Sequence, residues 1–232
     1  MAVVTRRRMM TGALGLAGLG ITGAGLGSGL ATPAAAQAIP LGEISAYMNG
    51  LTTVTARFRQ DNPDGTVTSG TFYLKRPGRM RFEYDPPEPA MVIAGGGALA
   101  VFDPRSDEPT RFPLNQTPLS VILARTVNLS AAEEITGTRE SDGFTLVRAE
   151  DPDNPEYGAI ELVFSANPIQ LRQWIVRDGQ GAVTRVSLGD LDTQSRVRDR
   201  LFNIRAETRN RNPRPRGAHM ERPQAASRAQ FV

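Results

Sequence analysis

The sequence predicts a mainly β fold of the α+β class: an antiparallel sheet curled into an unclosed barrel, or half-barrel, covered by a helical lid. Three observations predict it. About nine or ten segments alternate apolar and polar residues at the two-residue period of a strand. Short turns rich in Gly, Asn, Asp and Pro join them, which makes neighbours antiparallel. Only two segments carry a clear helical period, too few to sandwich so large a sheet, so they cover one face or opening.

The elements follow in order. Ile44, Tyr47, Met48 and Leu51 recur at the spacing of one helix face, just after Pro40 and up to Asn49-Gly50. Val54, Ala56 and Phe58 then alternate with Thr55, Arg57 and Arg59 as a strand. Asn62-Pro63-Asp64-Gly65 is a turn. Residues 66–75 and 79–84 are the next two strands. Three prolines in 86–89 exclude a central strand and mark a rim loop. Ala90–Ala94 and Leu99–Phe102 flank Gly95-Gly96-Gly97 as a hairpin, and Thr110–Leu114 is a short strand.

Thr117-Pro118 reads as an N-cap with Pro at N1, opening a helix that presents Leu119, Ile122 and Leu123, with Val121 broadening the stripe. Residues 126–140 fit neither period. Phe144–Ala149, Ala159–Phe164, Leu171–Arg177 and Val183–Leu188 are further strands, and Leu201–Ile204 is read as a last one.

The ends differ from this body. Three adjacent arginines, Arg6 to Arg8, precede an uncharged, glycine-rich run over 9–31, and small residues flank Ala36-Gln37-Ala38. That arrangement marks an export signal. Segment 1–38 is therefore expected to be cleaved, leaving a domain at 39–208; a permanent anchor is the other reading of so long an uncharged run. The Arg6-Arg7 pair also resembles a twin-arginine signal, so both export routes stay open. Residues 209–232 carry six arginines against Glu221 and read as a basic, disordered tail. The body 39–208 holds 18 basic and 23 acidic residues, a net of −5. Such a body excludes tracking along nucleic acid.

Catalytic parts are missing. The chain has no cysteine, which removes disulfides, thiolate metal sites and thiol nucleophiles. Its one histidine, His219, lies in the tail, so no Ser-His-Asp set can be assembled. Asp103 and Asp107 lack the spacing of a calcium loop, and Asp151-Pro152-Asp153-Asn154 reads as an Asx-type turn. Glu83 and Asp85 share a strand face, but Arg79 and Arg81 share it too, and charge pairing accounts for all four. No enzyme, cofactor or metal is expected.

What remains is the run TFYLKRPGRMRFEYDPP at 71–87. Phe72 and Leu74 form one apolar wall; Met80, Phe82 and Tyr84 form another. Arg76 sits between them, directly before Pro77. The combination suggests a β-structure that holds something apolar with a cation at its mouth.

This run resembles the periplasmic lipoprotein carriers of the LolA family. The Ala56–Gln60 stretch resembles the family's Phe-x-Gln strand, and Leu123-Ala124-Arg125 the end of its lid helix. The likeness covers roughly residues 40–205. It implies a non-catalytic, monomeric periplasmic carrier. Such a carrier takes acylated lipoproteins from an inner-membrane ABC transporter to the outer membrane or an acceptor there. It implies a gating role for Arg76, bonded to the lid when the cavity is empty. Phe58, Phe72, Leu74, Met80, Phe82, Leu119, Ile122 and Leu123 are then expected to line the acyl cavity or its mouth. LolA-like half-barrels also occur in periplasmic regulators that sense lipid or mislocalised lipoprotein, which is the second reading.

Overall fold

The computed structural model describes residues 37–106 and 108–212. Residues 1–36 of the proposed signal, Asp107, His219 and the tail beyond Asn212 lie outside them.

Helix α1 (Leu41–Gly50) opens the fold. Six strands follow as a meander: β1 (Thr53–Asp61), β2 (Val67–Lys75), β3 (Arg79–Tyr84), β4 (Met91–Gly95), β5 (Ala98–Phe102) and β6 (Thr110–Pro113). A single helical turn, α2 (Ser120–Leu123), leads to β7 (Ile135–Ser141), β8 (Phe144–Glu150), β9 (Ala159–Ala166), β10 (Ile169–Arg177) and β11 (Val183–Leu188). A 3-10 turn (Asp199–Phe202) and α3 (Ile204–Arg211) end the described chain.

The strands form one sheet in the order β6-β5-β4-β3-β2-β1-β11-β10-β9-β8-β7. The two runs of hairpins meet where β1 pairs antiparallel with β11. β6 and β7 are the free edges, so the barrel is unclosed, as the sequence predicts. Among the described residues no helix is long and apolar enough to cross a membrane.

Alternation decides which face is which. Val54, Ala56 and Phe58 of β1, Phe72 and Leu74 of β2, and Met80 and Phe82 of β3 join one cluster with Ile44 and Met48 of α1 and Ile122 and Leu123 of α2. The lid helices thus cover the inner face of the sheet. Burying each such side chain contributes about 1.5–3 kcal/mol. A second, smaller cluster lies on the outer face: Met91, Ile93, Ala100 and Phe102, covered by Ile204 of α3.

Gly70 of β2 makes the tightest approach in this core. It lies opposite Phe58 in the β1–β2 ladder. A Cβ there would stand 2.0 Å from the Glu83 carbonyl oxygen and 2.7 Å from the Phe58 ring. Only a residue without a side chain lets that ring lie across the strand.

Several expectations are corrected. The strands among the described residues number eleven, because β7 occupies part of the unassigned stretch 126–140. All its interior positions are exposed, so it carries no apolar period to read. Thr117 does not cap a helix. Its hydroxyl donates to the Leu114 carbonyl (2.8 Å), and α2 starts only at Ser120. Leu201–Ile204 is not a strand: Leu201 and Phe202 belong to the 3-10 turn and Ile204 opens α3. The expected disordered tail begins too early, since residues 209–211 complete α3.

Candidate functional site

The β2–β3 turn carries the site's cation. Gly78 in that turn has φ +69°, a left-handed conformation that glycine adopts without strain. Its N–H donates to the Leu123 carbonyl at the end of α2 (2.9 Å). Arg76 reaches further. Its Nε and Nη2 both donate to the Ala124 carbonyl, at 3.2 and 2.6 Å, while Nη1 donates to the Met48 carbonyl.

These acceptors are set by helix geometry. The last carbonyls of a helix have no intrahelical donor. Met48 lies in the final turn of α1, and Ala124 is the C-cap of α2. One guanidinium therefore ties the ends of both lid helices together, sharing the Met48 carbonyl with the Leu51 N–H (3.2 Å). Arg76 is 9% exposed, and burial pulls its pKa below the usual arginine value. Among the described residues no carboxylate pairs with it. Hydrogen bonds from a charged donor each contribute roughly 1.5–3 kcal/mol, but here no ion pair adds to them.

The lid is a single unit. The Asn49 side chain donates to the Val127 carbonyl and accepts from the Val127 N–H, each at 2.9 Å. The Leu129 N–H donates to the Ser45 hydroxyl (2.9 Å). On the far side, the Leu171 N–H of β10 donates to the Tyr47 hydroxyl (3.0 Å). Burial raises the Tyr47 pKa.

Beneath this lid the expected site residues meet. Phe58, Phe72, Leu74, Met80, Phe82, Ile122 and Leu123 are each 0–5% exposed and share one cluster. Leu119 is half-buried and packs against its margin. The expected hollow is filled in this arrangement: lid side chains Ile44, Met48, Ile122 and Leu123 occupy the concave face. An apolar guest has to displace them.

Sequence reasoning missed Trp174. It is 1% exposed, with ring centroids 5.5 Å from Phe72 and 6.0 Å from Phe82. Phe82 also meets Phe58 edge-on at 4.9 Å. Strict alternation would put Leu171 and Trp174 on opposite faces, but the β10 register shifts between Leu171 and Gln173. Both side chains then join the inner cluster.

The carboxylates considered as a catalytic pair have other partners. Glu83 pairs with Arg81 (2.6 Å), while Asp85 pairs with Arg57 and accepts from Ser69 (2.7 Å). The Asp151 turn forms as read, its Oδ1 accepting from the Asp153 and Asn154 N–H groups at 2.9 and 3.1 Å.

Together these features define a class: an unclosed antiparallel half-barrel whose apolar inner face is shut by a lid latched to one arginine. The profile described as "Outer membrane lipoprotein carrier protein LolA" matches residues 49–205, and the chain belongs to that family. It is similar to an outer-membrane lipoprotein carrier protein of Pseudomonas paraeruginosa, 25% identical over 170 residues, 69% of this chain and 81% of that one. The likeness to the carrier of Chromobacterium violaceum is 32% over 99 residues, 39% of this chain and 45% of that one. Among solved structures, a LolA superfamily protein from Nitrosomonas europaea has a TM-score of 0.41 and 13% identity, over 72% of this chain and 98% of that one.

Proposed function

We propose that this chain is a non-catalytic periplasmic carrier for the acyl chains of outer-membrane lipoproteins. One observation carries the reading. A single buried guanidinium, Arg76, holds both lid helices shut over a continuous apolar wall.

The physics of the task fits that device. Each acyl CH₂ removed from water is worth about 0.8 kcal/mol, so long chains do not cross an aqueous space exposed. A site that hides them must also release them. A latch that forms only in the empty state lowers net affinity by the cost of breaking it, as any occluded site does. The inner-face residues Phe58, Phe72, Leu74, Met80 and Phe82 supply the wall, and Leu119, Ile122 and Leu123 move with the lid. Met80 keeps the wall adaptable, because its thioether side chain fits irregular surfaces.

In this reading an export signal at 1–38 delivers the chain to the periplasm. An inner-membrane ABC transporter loads it, and the outer membrane or an acceptor there unloads it. Cross-linking in cells followed by affinity purification tests this: a carrier returns the transporter. Recovery of an anti-sigma partner instead assigns the chain to the sensing regulators and overturns the carrier role.

A further inference from the structure

The outer face of the sheet carries a second feature. A hollow of about 520 Å³ opens between the β4–β5 turn and the C-terminal segment. Arg79, Arg111, Arg205 and Asp199 line it. Its floor is tight: a Cβ on Gly95 would stand 2.3 Å from the Phe202 carbonyl oxygen, so the C-terminal segment seats directly on the hairpin.

The charges there do not balance. Asp199 is shared by Lys75 and Arg79, each at 2.7 Å. Those two cations hold its carboxyl below the usual carboxylate range. Arg111 stands opposite Ala100 on the outer face and, among the described residues, donates only to the Thr208 hydroxyl (3.3 Å). Among the described residues Arg205 has no ion-pair partner. Three arginines therefore line the hollow with one carboxylate, which Lys75 also pairs, on a body whose net charge is −5. The excess continues along the segment 196–211, which holds six arginines against Asp199 and Glu207.

Guanidinium forks match phosphate oxygens two at a time. Gly95, Ala98, Phe202 and Ile204 line the hollow beside these charges, so apolar surface adjoins cations without a carboxylate partner, as at the headgroup boundary of a bilayer. A hydrated layer of headgroups tolerates that arrangement. We propose that this outer face docks the protein on an anionic phospholipid bilayer, with Arg111 and Arg205 taking headgroup phosphates. The proposal stands whether or not the inner face takes acyl chains.

The test is co-sedimentation of the full chain with vesicles of phosphatidylcholine alone or with phosphatidylglycerol added. Binding is expected only with the anionic lipid, and it weakens as salt rises. Each basic residue near such a surface is worth about 1 kcal/mol, so Arg111→Gln/Arg205→Gln together lose roughly 30-fold in affinity. Should that double variant lose its thermal transition, Arg205→Gln alone, at an exposed position, is expected to lose roughly fivefold. Replacing Arg214, Arg216, Arg222 and Arg228 by Gln is the contrast. The proposal is overturned if the hollow's variants bind like the parent. It is equally overturned if the tail replacements alone abolish binding, or if the chain ignores every vesicle yet is retained on a polyglutamate matrix, which indicates an acidic protein partner.

Discussion

Arg76 and Ala124 are joined twice: Nε and Nη2 of the guanidinium both donate to the same carbonyl, at 3.2 and 2.6 Å. The remaining nitrogen of the fork crosses to Met48 of the other lid helix. Neither acceptor is charged. The latch itself therefore consists of dipoles at two helix ends, and an apolar guest competes with these hydrogen bonds and with the packing of Ile44, Met48, Ile122 and Leu123.

Arg76→Leu is expected to load cargo and keep it. Losing the latch removes the cost of opening, so cargo affinity rises roughly tenfold or more. A transfer assay to outer-membrane vesicles reads this as loading without release. Hydrogen exchange of the α1 and α2 amides is expected to speed up in the empty variant. Normal transfer by Arg76→Leu would remove the gating role.

Trp174 offers a built-in reporter, as the chain's only tryptophan and a buried one. Its emission is expected to shift when an acylated peptide binds, because Phe72 and Phe82 at 5.5 and 6.0 Å have to move apart. Saturable binding with unchanged emission places the guest elsewhere.

Gly70→Ala tests the packing of the inner wall. The new methyl would meet the Glu83 backbone oxygen at 2.0 Å, and backbone in mid-sheet does not yield cheaply. A loss of about 2 kcal/mol or more is expected in urea unfolding. A stability equal to the parent's would mean that β2 and β3 separate more easily than their register implies.

Tyr84 governs the alkaline limit. Its hydroxyl donates to Gln60 Oε1 (2.8 Å), and burial pushes its pKa up from 10.0 to about 12. In the unfolded chain the phenol ionises near its ordinary value, so the folded state binds more protons above it. Stability is then full below about pH 10 and falls as pH rises toward 12, by at most about 3 kcal/mol. Tyr84→Phe is expected to flatten that decline in denaturation midpoints measured across the window. An equally steep decline in the variant assigns the loss to another group.

Much of this was legible in the sequence, for a physical reason. Where one strand face is buried, side-chain alternation reports it directly. Val54, Ala56 and Phe58, then Phe72 and Leu74, then Met80 and Phe82, all lie on the inner face as read. The Arg-Pro-Gly turn was legible because few residue types fit there. The partners of Arg76 were not readable from its own surroundings, since backbone carbonyls leave no residue signature; the family resemblance pointed to the lid helices but not to the Met48 and Ala124 carbonyls. β7 escaped notice because an exposed edge strand has no apolar face. Trp174 was hidden by a one-residue irregularity that reverses the facing of everything beyond it. The C-terminal segment misled because a short apolar group, Leu201, Phe202 and Ile204, serves a 3-10 turn and a helix start as readily as a strand.

The central claim is that acyl chains replace the lid's own side chains on the inner face. Native mass spectrometry of the protein recovered from the periplasm of its producing cell tests it most directly. The account predicts a population carrying the mass of an acylated polypeptide, enriched in Arg76→Leu. Protein that is always empty, in parent and variant alike, would contradict it.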